Sequence, residues 1–370
     1  MKNIDRRKWL RTVGLSGGFA LVGGLESLAF DVASISKNPN SLVKLSSNEN
    51  PYGPSNRVRE VIVNNFDNAC RYPFNMLGDL VQKIAEKEGV SKDHIVITGG
   101  STEGLKAVGL TYGLDGGELI AADPTFQSML RYAENFGAYV HRVPVNSQMQ
   151  HDLEAMAQRV NNKTRLIFIC NPNNPTGTLL NAKALKDFIS AVDEKAMVFS
   201  DEAYYDFITE PEYPSMTSLI KEGRNVIVSK TFSKVFGLAG LRIGYLIARP
   251  DIALRLKNNV MANTNVLAIQ AAKEALRDVE FYKFSIAKTD EAKNMIYNTL
   301  DGLGLEYIKS HTNFVFFKSG RHIEELISDM KKENIMIGRP FPPFYDWARI
   351  STGKIEEVAL FSKALKKVLG

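Results

Sequence analysis

Short apolar runs alternate with amphipathic stretches through the first two thirds of this 370-residue chain, and this alternation most constrains the fold. Seven of the runs are predicted to be strands, at residues 95–98, 118–121, 138–143, 165–170, 197–200, 226–229 and 243–248. Four intervening stretches have apolar residues at helical spacing, at residues 103–112, 126–135, 153–160 and 182–193. Strands separated by helices usually pair in parallel, with both faces of the sheet covered. The sequence therefore predicts an α/β protein with a mainly parallel, seven-stranded sheet.

Beyond residue 248 the pattern changes to longer helices and then to a smaller αβ unit. Helices are expected at residues 280–300, 321–333 and 355–369, and strands at residues 313–317, 335–337 and 348–351. We place a domain boundary near residue 290, with residues 67–289 as a large domain and residues 290–370 as a small one. Residues 30–66 are expected to form an N-terminal arm and part of the small domain, which would then be discontinuous.

The first 29 residues have the order of an export signal. Arg6 and Arg7 lie in a basic run, and a Gly-rich, moderately apolar stretch follows from residue 13 to residue 29. The segment resembles a twin-arginine (Tat) signal, which implies contact with the Tat export machinery and a periplasmic or exported protein. A basic start to an ordinary amphipathic helix is the alternative, and the protein would then be cytoplasmic.

Charge and cysteine content exclude several classes of protein. The formal net charge is +5, but five basic and two acidic residues in the first 29 account for +3 of it. The remaining small excess gives no case for binding nucleic acid or an anionic membrane. Two cysteines, Cys70 and Cys170, do not form a disulfide framework, and the five histidines lack metal-ligand spacing. No metal site is expected.

Lys234 lies in a polar turn, Thr231-Phe-Ser-Lys234, directly after the predicted strand at residues 226–229. Open α/β sheets bind ligands at the carboxyl ends of their strands. A desolvated lysine there has a lowered pKa and can form a Schiff base. The hydroxyls of Thr231 and Ser233, with Arg242 eight residues on, could gather around one phosphate. A lone lysine in a turn is usually a solvated surface residue, so this interpretation depends on the other motifs.

Two further strand ends carry groups that suit a phosphate and a polar ligand atom. Gly99-Gly-Ser-Thr-Glu-Gly104 follows a strand and opens a helix, where the Ser101 and Thr102 hydroxyls and free backbone N–H groups would bind a phosphate. A plain capped turn is the alternative. In Asn171-Pro-Asn-Asn-Pro-Thr-Gly177, the prolines and the glycine fix the turn, which leaves the Asn174 amide free to bind a ligand.

A carboxylate and two aromatic rings follow other predicted strands. Asp201 could pair with a protonated heteroaromatic nitrogen, and Tyr204, three residues on, could donate to a phenolate oxygen. Phe126 offers its ring as a stacking surface. The alternatives are a solvated loop carboxylate and a core phenylalanine. Taken together, the strand ends match the needs of one cofactor, pyridoxal 5′-phosphate (PLP), which uses a Schiff-base lysine, a carboxylate at its pyridinium nitrogen and a phosphate cup.

These motifs resemble those of the class I/II aminotransferases, which are fold-type I PLP enzymes, and most closely the histidinol-phosphate aminotransferase branch. The matching stretches span nearly everything after the signal: residues 48–54, 71–73, 99–103, 171–178, 201–204, 229–244, 313–315 and 348–350. The resemblance implies a large α/β domain, a smaller discontinuous α+β domain and a homodimer with active sites at its interface. One departure is Phe126, which replaces the tyrosine common in the histidinol-phosphate enzymes.

The resemblance also implies roles for individual residues. Lys234 would carry PLP as a Schiff base and then move the substrate proton, while Asp201 holds the ring nitrogen. Asn174 and Tyr204 would contact the ring oxygen, and Phe126 would stack on the ring. The phosphate cup would comprise Ser101, Thr102, Thr231, Ser233 and Arg242, with Tyr72 reaching in from the dimer partner.

The implied reaction is transfer of an α-amino group from an amino acid to a 2-oxo acid. Arg349 would clamp the substrate α-carboxylate, with Arg339 and Tyr52 near the pocket for the distal group. Export argues against histidine biosynthesis, which is cytoplasmic. Other PLP reactions on the same scaffold, namely decarboxylation, racemisation and amine oxidation, are the alternatives.

Overall fold

A computed structural model describes residues 42–370 of the chain. The predicted signal at residues 1–29, and residues 30–41 of the predicted arm, lie outside the described residues. Strand β1 (Val43–Lys44) belongs to a small sheet, and the next seven strands form the central one: β2 (Ile95–Thr98), β3 (Glu118–Asp123), β4 (Tyr139–Pro144), β5 (Thr164–Cys170), β6 (Met197–Asp201), β7 (Val226–Thr231) and β8 (Gly244–Ile247).

The central sheet has the strand order β2-β8-β7-β6-β5-β3-β4. Its strands are parallel except for β8, which runs antiparallel to both of its neighbours. The prediction of an α/β fold with a mainly parallel, seven-stranded sheet is confirmed.

Side chains of the central strands alternate between two hydrophobic cores, one on each face of the sheet. On β5, Leu166 and Phe168 belong to one core, and Ile167 and Ile169 to the other. Helices cover both faces: α1 (Asn56–Asn64), α2 (Leu77–Glu88), α3 (Ser101–Gly113), α4 (Ser128–Glu134), α5 (Leu153–Gln158), α6 (Ala182–Val192), α7 (Thr217–Lys221), α8 (Pro250–Lys257) and α9 (Val266–Ala275). Within residues 42–370, no helix is both long and apolar enough to cross a membrane.

A third core is built by the C-terminal elements: α10 (Val279–Gly302), β9 (Phe314–Lys318), α11 (Ile323–Lys332), β10 (Ile335–Met336), β11 (Trp347–Ser351) and α12 (Ile355–Leu369). Strand β1 pairs in parallel with β10, and Val43 and Leu45 join this core. Helix α10 runs without a break through residue 290, where the sequence suggested a domain boundary. The division into domains stays a prediction.

Several strands extend further than the apolar pattern indicated, and these extensions position the site. Strand β6 includes Asp201, which is in register with Cys170 on one side and Ser229 on the other. Strand β7 continues to Thr231, which faces Gly244 on β8. The residues at these strand ends are polar, but they still pair with the neighbouring strands through the backbone. The carboxyl ends of parallel strands lie at one edge of a sheet, so the loops after β2, β3, β5, β6 and β7 meet there.

Candidate active site

A pocket of about 430 Å³ opens at this edge of the sheet. It is also lined by residues of the N-terminal arm and of the region around β11. Eleven of the fourteen predicted site residues line it: Ser101, Thr102, Phe126, Asn174, Asp201, Tyr204, Ser233, Lys234, Arg242, Arg339 and Arg349. The structure therefore brings together side chains that lie as much as 248 positions apart in the sequence.

Lys234 lies in the pocket just beyond the end of β7. Its Nζ donates a hydrogen bond of 2.9 Å to the carbonyl oxygen of Asn48 and lies 5.5 Å from the centroid of the Tyr204 ring. Burial, and then the positive charge of Arg349, lower the pKa of Lys234 to about 8. At pH 7 the amine is then neutral in about one tenth of the molecules, and a nucleophile or a proton acceptor must be neutral.

Asp201, the last residue of β6, is buried at the pocket. Its Oδ1 accepts a hydrogen bond of 3.2 Å from the backbone N–H of Ala203. Burial raises the pKa of Asp201 to about 7, although this hydrogen bond and the charge of Lys234 act in the opposite direction. A cationic nitrogen next to the carboxyl group would favour its ionised form. The position therefore suits a partner that carries a proton on a ring nitrogen.

Asn174 connects Tyr204 to Arg349. Arg349 Nη1 donates to Asn174 Oδ1 at 2.7 Å, and Asn174 Nδ2 donates to the hydroxyl oxygen of Tyr204 at 3.2 Å. Because a guanidinium group only donates, this contact fixes which end of the Asn174 amide faces Tyr204. Burial raises the pKa of Tyr204 above its ordinary value, so the phenol keeps its proton at neutral pH.

Arg349 is buried on β11, whereas Arg339 is exposed at the pocket mouth. Arg349 Nη2 donates to the carbonyl oxygen of Ser46 at 2.7 Å, but its Nε has no hydrogen-bond partner among the described residues. Both guanidinium groups lie over the ring of Phe341, Arg349 at 4.8 Å and Arg339 at 4.4 Å from its centroid. Burial and the nearby Arg339 lower the pKa of Arg349 to about 10, so it stays protonated at neutral pH.

The groups at the other end of the pocket are suited to bind an anion. Helix α3 begins at Ser101, and Gly100 precedes it with a φ of 79°. A side chain at Gly100 would collide with the guanidinium group of Arg242, which is held by a 2.7 Å hydrogen bond from Nη1 to the carbonyl oxygen of Ala239. The positive φ favours glycine at position 100, and a helix N-terminus, hydroxyl groups and a guanidinium group surround this end of the pocket. This arrangement suits a phosphate.

Three predicted site residues do not line the pocket. Thr231 is buried, and its Oγ1 accepts the backbone N–H of Ser233 at 3.1 Å, which stabilises the turn. The Tyr52 hydroxyl accepts the backbone N–H of Ile355 at 3.2 Å, at the start of α12. Tyr72 is on the surface, 74% exposed and stacked on Phe74. The roles predicted for Thr231, Tyr52 and Tyr72 stay predictions.

The sequence did not assign roles to several residues that line the pocket, chiefly Ser47, Asn48 and Glu49. These residues belong to the arm, directly after β1. The motif at residues 48–54 precedes the first predicted strand, and no spacing in the sequence indicates that it returns to the edge of the central sheet. Among residues 42–370, no group of three or more His, Cys, Asp or Glu side chains could hold a metal ion.

The described residues fit PLP at each of its reactive positions. Lys234 suits the aldehyde, Asp201 the ring nitrogen, Tyr204 the ring oxygen, and the start of α3 with Arg242 the phosphate. The fold and this site define a fold-type I PLP enzyme. Residues 40–365 match the family described as aminotransferase class I and II. The chain belongs to that family, and it is a PLP-dependent aminotransferase.

Comparisons with individual proteins also find aminotransferases. The chain is 36% identical to a histidinol-phosphate aminotransferase of Moorella thermoacetica over 332 residues, which cover 89% of this chain and 86% of that protein. Its fold is similar to that of histidinol-phosphate aminotransferase from Sinorhizobium meliloti in complex with pyridoxal-5′-phosphate, with a TM-score of 0.83, 26% identity and coverage of 89% and 91%. It is also similar to L-threonine-O-3-phosphate decarboxylase from Porphyromonas gingivalis, with a TM-score of 0.77, 26% identity and coverage of 89% and 99%.

The lowered pKa of Lys234 predicts how the capture of PLP depends on pH. Only the neutral amine attacks an aldehyde, so the rate should rise about tenfold per pH unit and level off above a pH of about 8. An ordinary lysine would keep accelerating to a pH of about 10. Stopped-flow absorbance of PLP mixed with the cofactor-free protein measures this, with Nα-acetyl-lysine as the reference for the cofactor's own titrations. A rate that tracks the reference at every pH would contradict the prediction.

Proposed function

We propose that this aminotransferase uses α-amino acids with an anionic side chain, and that the pocket residues act in the roles predicted from the sequence. The observation that carries the proposal is the pair of guanidinium groups on Phe341. Arg349 is buried and Arg339 is at the mouth, and neither forms a salt bridge with a carboxylate of the described residues. Two like charges near each other cost free energy until an anion joins them. A substrate with two acidic groups would neutralise both.

The chemistry follows from the positions of the chain's own groups. When bound, PLP supplies an electron sink that stabilises the negative charge left on the substrate Cα. Arg349 orients the substrate through two parallel N–H donors to its α-carboxylate. Lys234, with its lowered pKa, would remove the Cα proton of the substrate and deliver it to C4′ of the cofactor. Asp201 holds a proton on the ring nitrogen, and Tyr204 with Asn174 donates hydrogen bonds to the ring oxygen.

Replacing Arg339 tests the substrate class. Arg339→Ala should lower kcat/KM for glutamate or aspartate by about 1–2 kcal/mol, because the variant loses a charge-assisted contact in a partly solvated position. Alanine or leucine should be used as well as before, since neither reaches the mouth with a charge. Steady-state kinetics with these four donors makes the comparison, and Arg131→Ala, a second arginine near Arg339, serves as a control for net charge. Equal losses for charged and neutral donors would remove Arg339 from the proposal.

Decarboxylation is a second candidate because of one specific observation. One of the similar solved structures is that of an L-threonine-O-3-phosphate decarboxylase, and an amino acid with a phosphate on its side chain would also suit two arginines. The two reactions differ in which bond to Cα is broken. Release of CO2 from the same anionic amino acids, without a 2-oxo acid, would favour the decarboxylase.

A homodimer is proposed from an exposed apolar segment at residues 63–74. Val63, Phe66, Tyr72 and Phe74 are each at least 64% exposed, and isolated monomers rarely show large apolar side chains so close together. A second copy of the chain would cover them and would place its Tyr72 at the neighbouring active site, as the resemblance implies. Sedimentation of the purified enzyme as a species of 41.2 kDa would contradict this proposal.

Export through the Tat pathway is proposed from the first 29 residues, and the cofactor gives a physical reason for it. A PLP enzyme must fold where PLP is available, and the Tat pathway carries folded proteins. Replacing Arg6 and Arg7 by lysine should keep the protein in the cytoplasm, because lysine lacks the guanidinium fork. Cell fractionation measures the distribution, and Arg11→Lys, in the same segment but outside the pair, is the control. An unchanged distribution of the double variant would mean that the segment is not a signal.

A further inference from the structure

Asn48 is a buried residue of the N-terminal arm that contacts the active site at two points. Its side-chain Nδ2 donates to the hydroxyl oxygen of Tyr204 at 3.0 Å, and its carbonyl oxygen accepts Lys234 Nζ at 2.9 Å. The carbonyl oxygen also accepts Asn313 Nδ2 at 3.0 Å. Its φ of 54° lies in the left-handed region, which asparagine tolerates better than most residues. Asn48 thus forms hydrogen bonds with both Tyr204 and Lys234.

The hydrogen bonds of the Tyr204 hydroxyl determine where its proton can be donated. Its hydroxyl oxygen accepts two N–H donors, one from Asn48 and one from Asn174. A hydroxyl group has two lone pairs and one proton, so both lone pairs are occupied. No acceptor for the proton lies among the described residues, and Tyr204 lines the pocket. The O–H bond is therefore left to donate towards the pocket.

The amide of Asn48 is itself held in the orientation that this arrangement needs. The backbone N–H of Asn48 donates to Ser351 Oγ at 2.8 Å, and Ser351 Oγ donates its own proton to Asn48 Oδ1 at 2.7 Å. The backbone N–H occupies one lone pair of Ser351 Oγ and leaves the serine proton available for Oδ1, and Nδ2 then faces Tyr204. Arg349 fixes the Asn174 amide in the same way. The Ser351 hydroxyl group and the Arg349 guanidinium group thus hold the two amides in these orientations.

We propose that Asn48 is a positioning residue that makes Tyr204 a hydrogen-bond donor to the ring oxygen of PLP. The inference rests on the proposed roles of Tyr204 and Lys234. Asn48 would thereby connect the arm to the chemistry, although the strand that precedes it pairs with β10 in a separate two-stranded sheet.

The consequence is a shift in the pKa of the lysine-bound cofactor. A donor to the ring oxygen stabilises its anionic form, which is the form present after the lysine–cofactor linkage loses its proton. Loss of that donor should therefore raise the pKa of the chromophore. Complete loss of one neutral hydrogen bond corresponds to a rise of about 0.5–1 pKa unit, which is the upper limit for a variant that keeps the Tyr204 hydroxyl.

Asn48→Gly is the appropriate variant, because glycine keeps the left-handed backbone while removing the amide. The matched control is Asn50→Ala in the same loop. Asn50 Nδ2 donates to the carbonyl oxygen of Val235 at 2.8 Å and to Ser285 Oγ at 3.0 Å, but Asn50 does not contact Tyr204. Spectroscopic pH titration of the holoenzymes should show a raised chromophore pKa for Asn48→Gly. Asn50→Ala should lower only the melting temperature.

A double-mutant cycle with Tyr204→Phe separates positioning from packing. Asn48→Gly should shift the chromophore pKa by less than about 0.3 unit in the Tyr204→Phe background, because its effect passes through the missing hydroxyl. Equal shifts in both backgrounds, or a shift in Asn50→Ala as large as in Asn48→Gly, would overturn the inference. Borohydride fixation and peptide mapping of the wild type test the underlying role separately. Cofactor fixed to a lysine other than Lys234 would overturn the proposed role of Lys234 and this inference with it.

Discussion

Lys234→Ala is expected to abolish transamination while leaving a folded protein that still binds PLP non-covalently. The variant loses both the nucleophile for the aldehyde and the group that moves the substrate proton. General acid–base catalysis alone contributes on the order of 10²–10⁴-fold, so the loss in kcat should be at least that large. The fold should survive because Nζ makes one hydrogen bond, to Asn48, and removing a partly buried cation also removes its repulsion with Arg349.

Absorbance and borohydride fixation measure the outcome directly. The wild type should show the visible band of the lysine-bound cofactor and retain PLP after reduction, whereas Lys234→Ala should show neither. Lys230 is a useful comparison on the same strand, because its Nζ is already paired with Glu88 at 2.8 Å and with Glu202 at 3.6 Å. These pairs raise its pKa, so it cannot substitute as a nucleophile. Cofactor fixed covalently in Lys234→Ala would contradict the assignment.

Arg349→Lys should weaken kcat/KM for the best α-amino acid by an amount on the order of 2–5 kcal/mol, the range for disrupting a desolvated charge pair. Lysine has a point charge instead of two parallel donors. It would also be unable to contact Asn174 Oδ1 and the Ser46 carbonyl oxygen together, as Arg349 does. Asn174 would then lose the contact that fixes its amide towards Tyr204. The effect should appear in turnover, while PLP stays bound.

Amines without a carboxylate provide the control for this variant. They do not use the α-carboxylate contact, so Arg349→Lys should affect their reaction far less than that of amino acids. Arg339→Lys at the exposed mouth should be milder still, because a solvated charge tolerates the exchange. Equal losses for amino acids and plain amines would show that Arg349 is structural, and would indicate an amine-using enzyme.

The central sheet was predictable because its strands are buried on both faces. Runs such as residues 226–228 are apolar throughout, and the turns that follow the strands are rich in Gly, Pro, Ser and Asn. The strand ends were harder, since Asp201 and Thr231 are polar but still belong to the backbone ladder. Helix α4 begins at Ser128 and not at Phe126, whose ring faces the pocket. The pattern of apolar residues in the sequence predicts the presence of a buried strand better than it predicts the residue at which the strand ends.

The site was predictable where its residues follow strands, because parallel strands bring their carboxyl ends together. It was not predictable where the arm supplies residues, since Asn48 meets Tyr204 across 156 positions of sequence. The contact of Tyr52 was not predictable either. Its hydroxyl accepts the backbone N–H of Ile355 at the start of α12, and its place near the substrate pocket stays a prediction. Such contacts depend on how the arm packs, which no spacing in the sequence encodes.

A single-turnover reaction tests the central claim, that the enzyme transfers the α-amino group of an anionic amino acid. Holoenzyme is mixed with glutamate in the absence of any 2-oxo acid, and the products are quantified per active site. The account predicts one 2-oxoglutarate per site, loss of the visible band of the lysine-bound cofactor, the amino group retained on the enzyme, and no CO2. Release of CO2 in amounts equal to the glutamate consumed, with no 2-oxo acid, would contradict it.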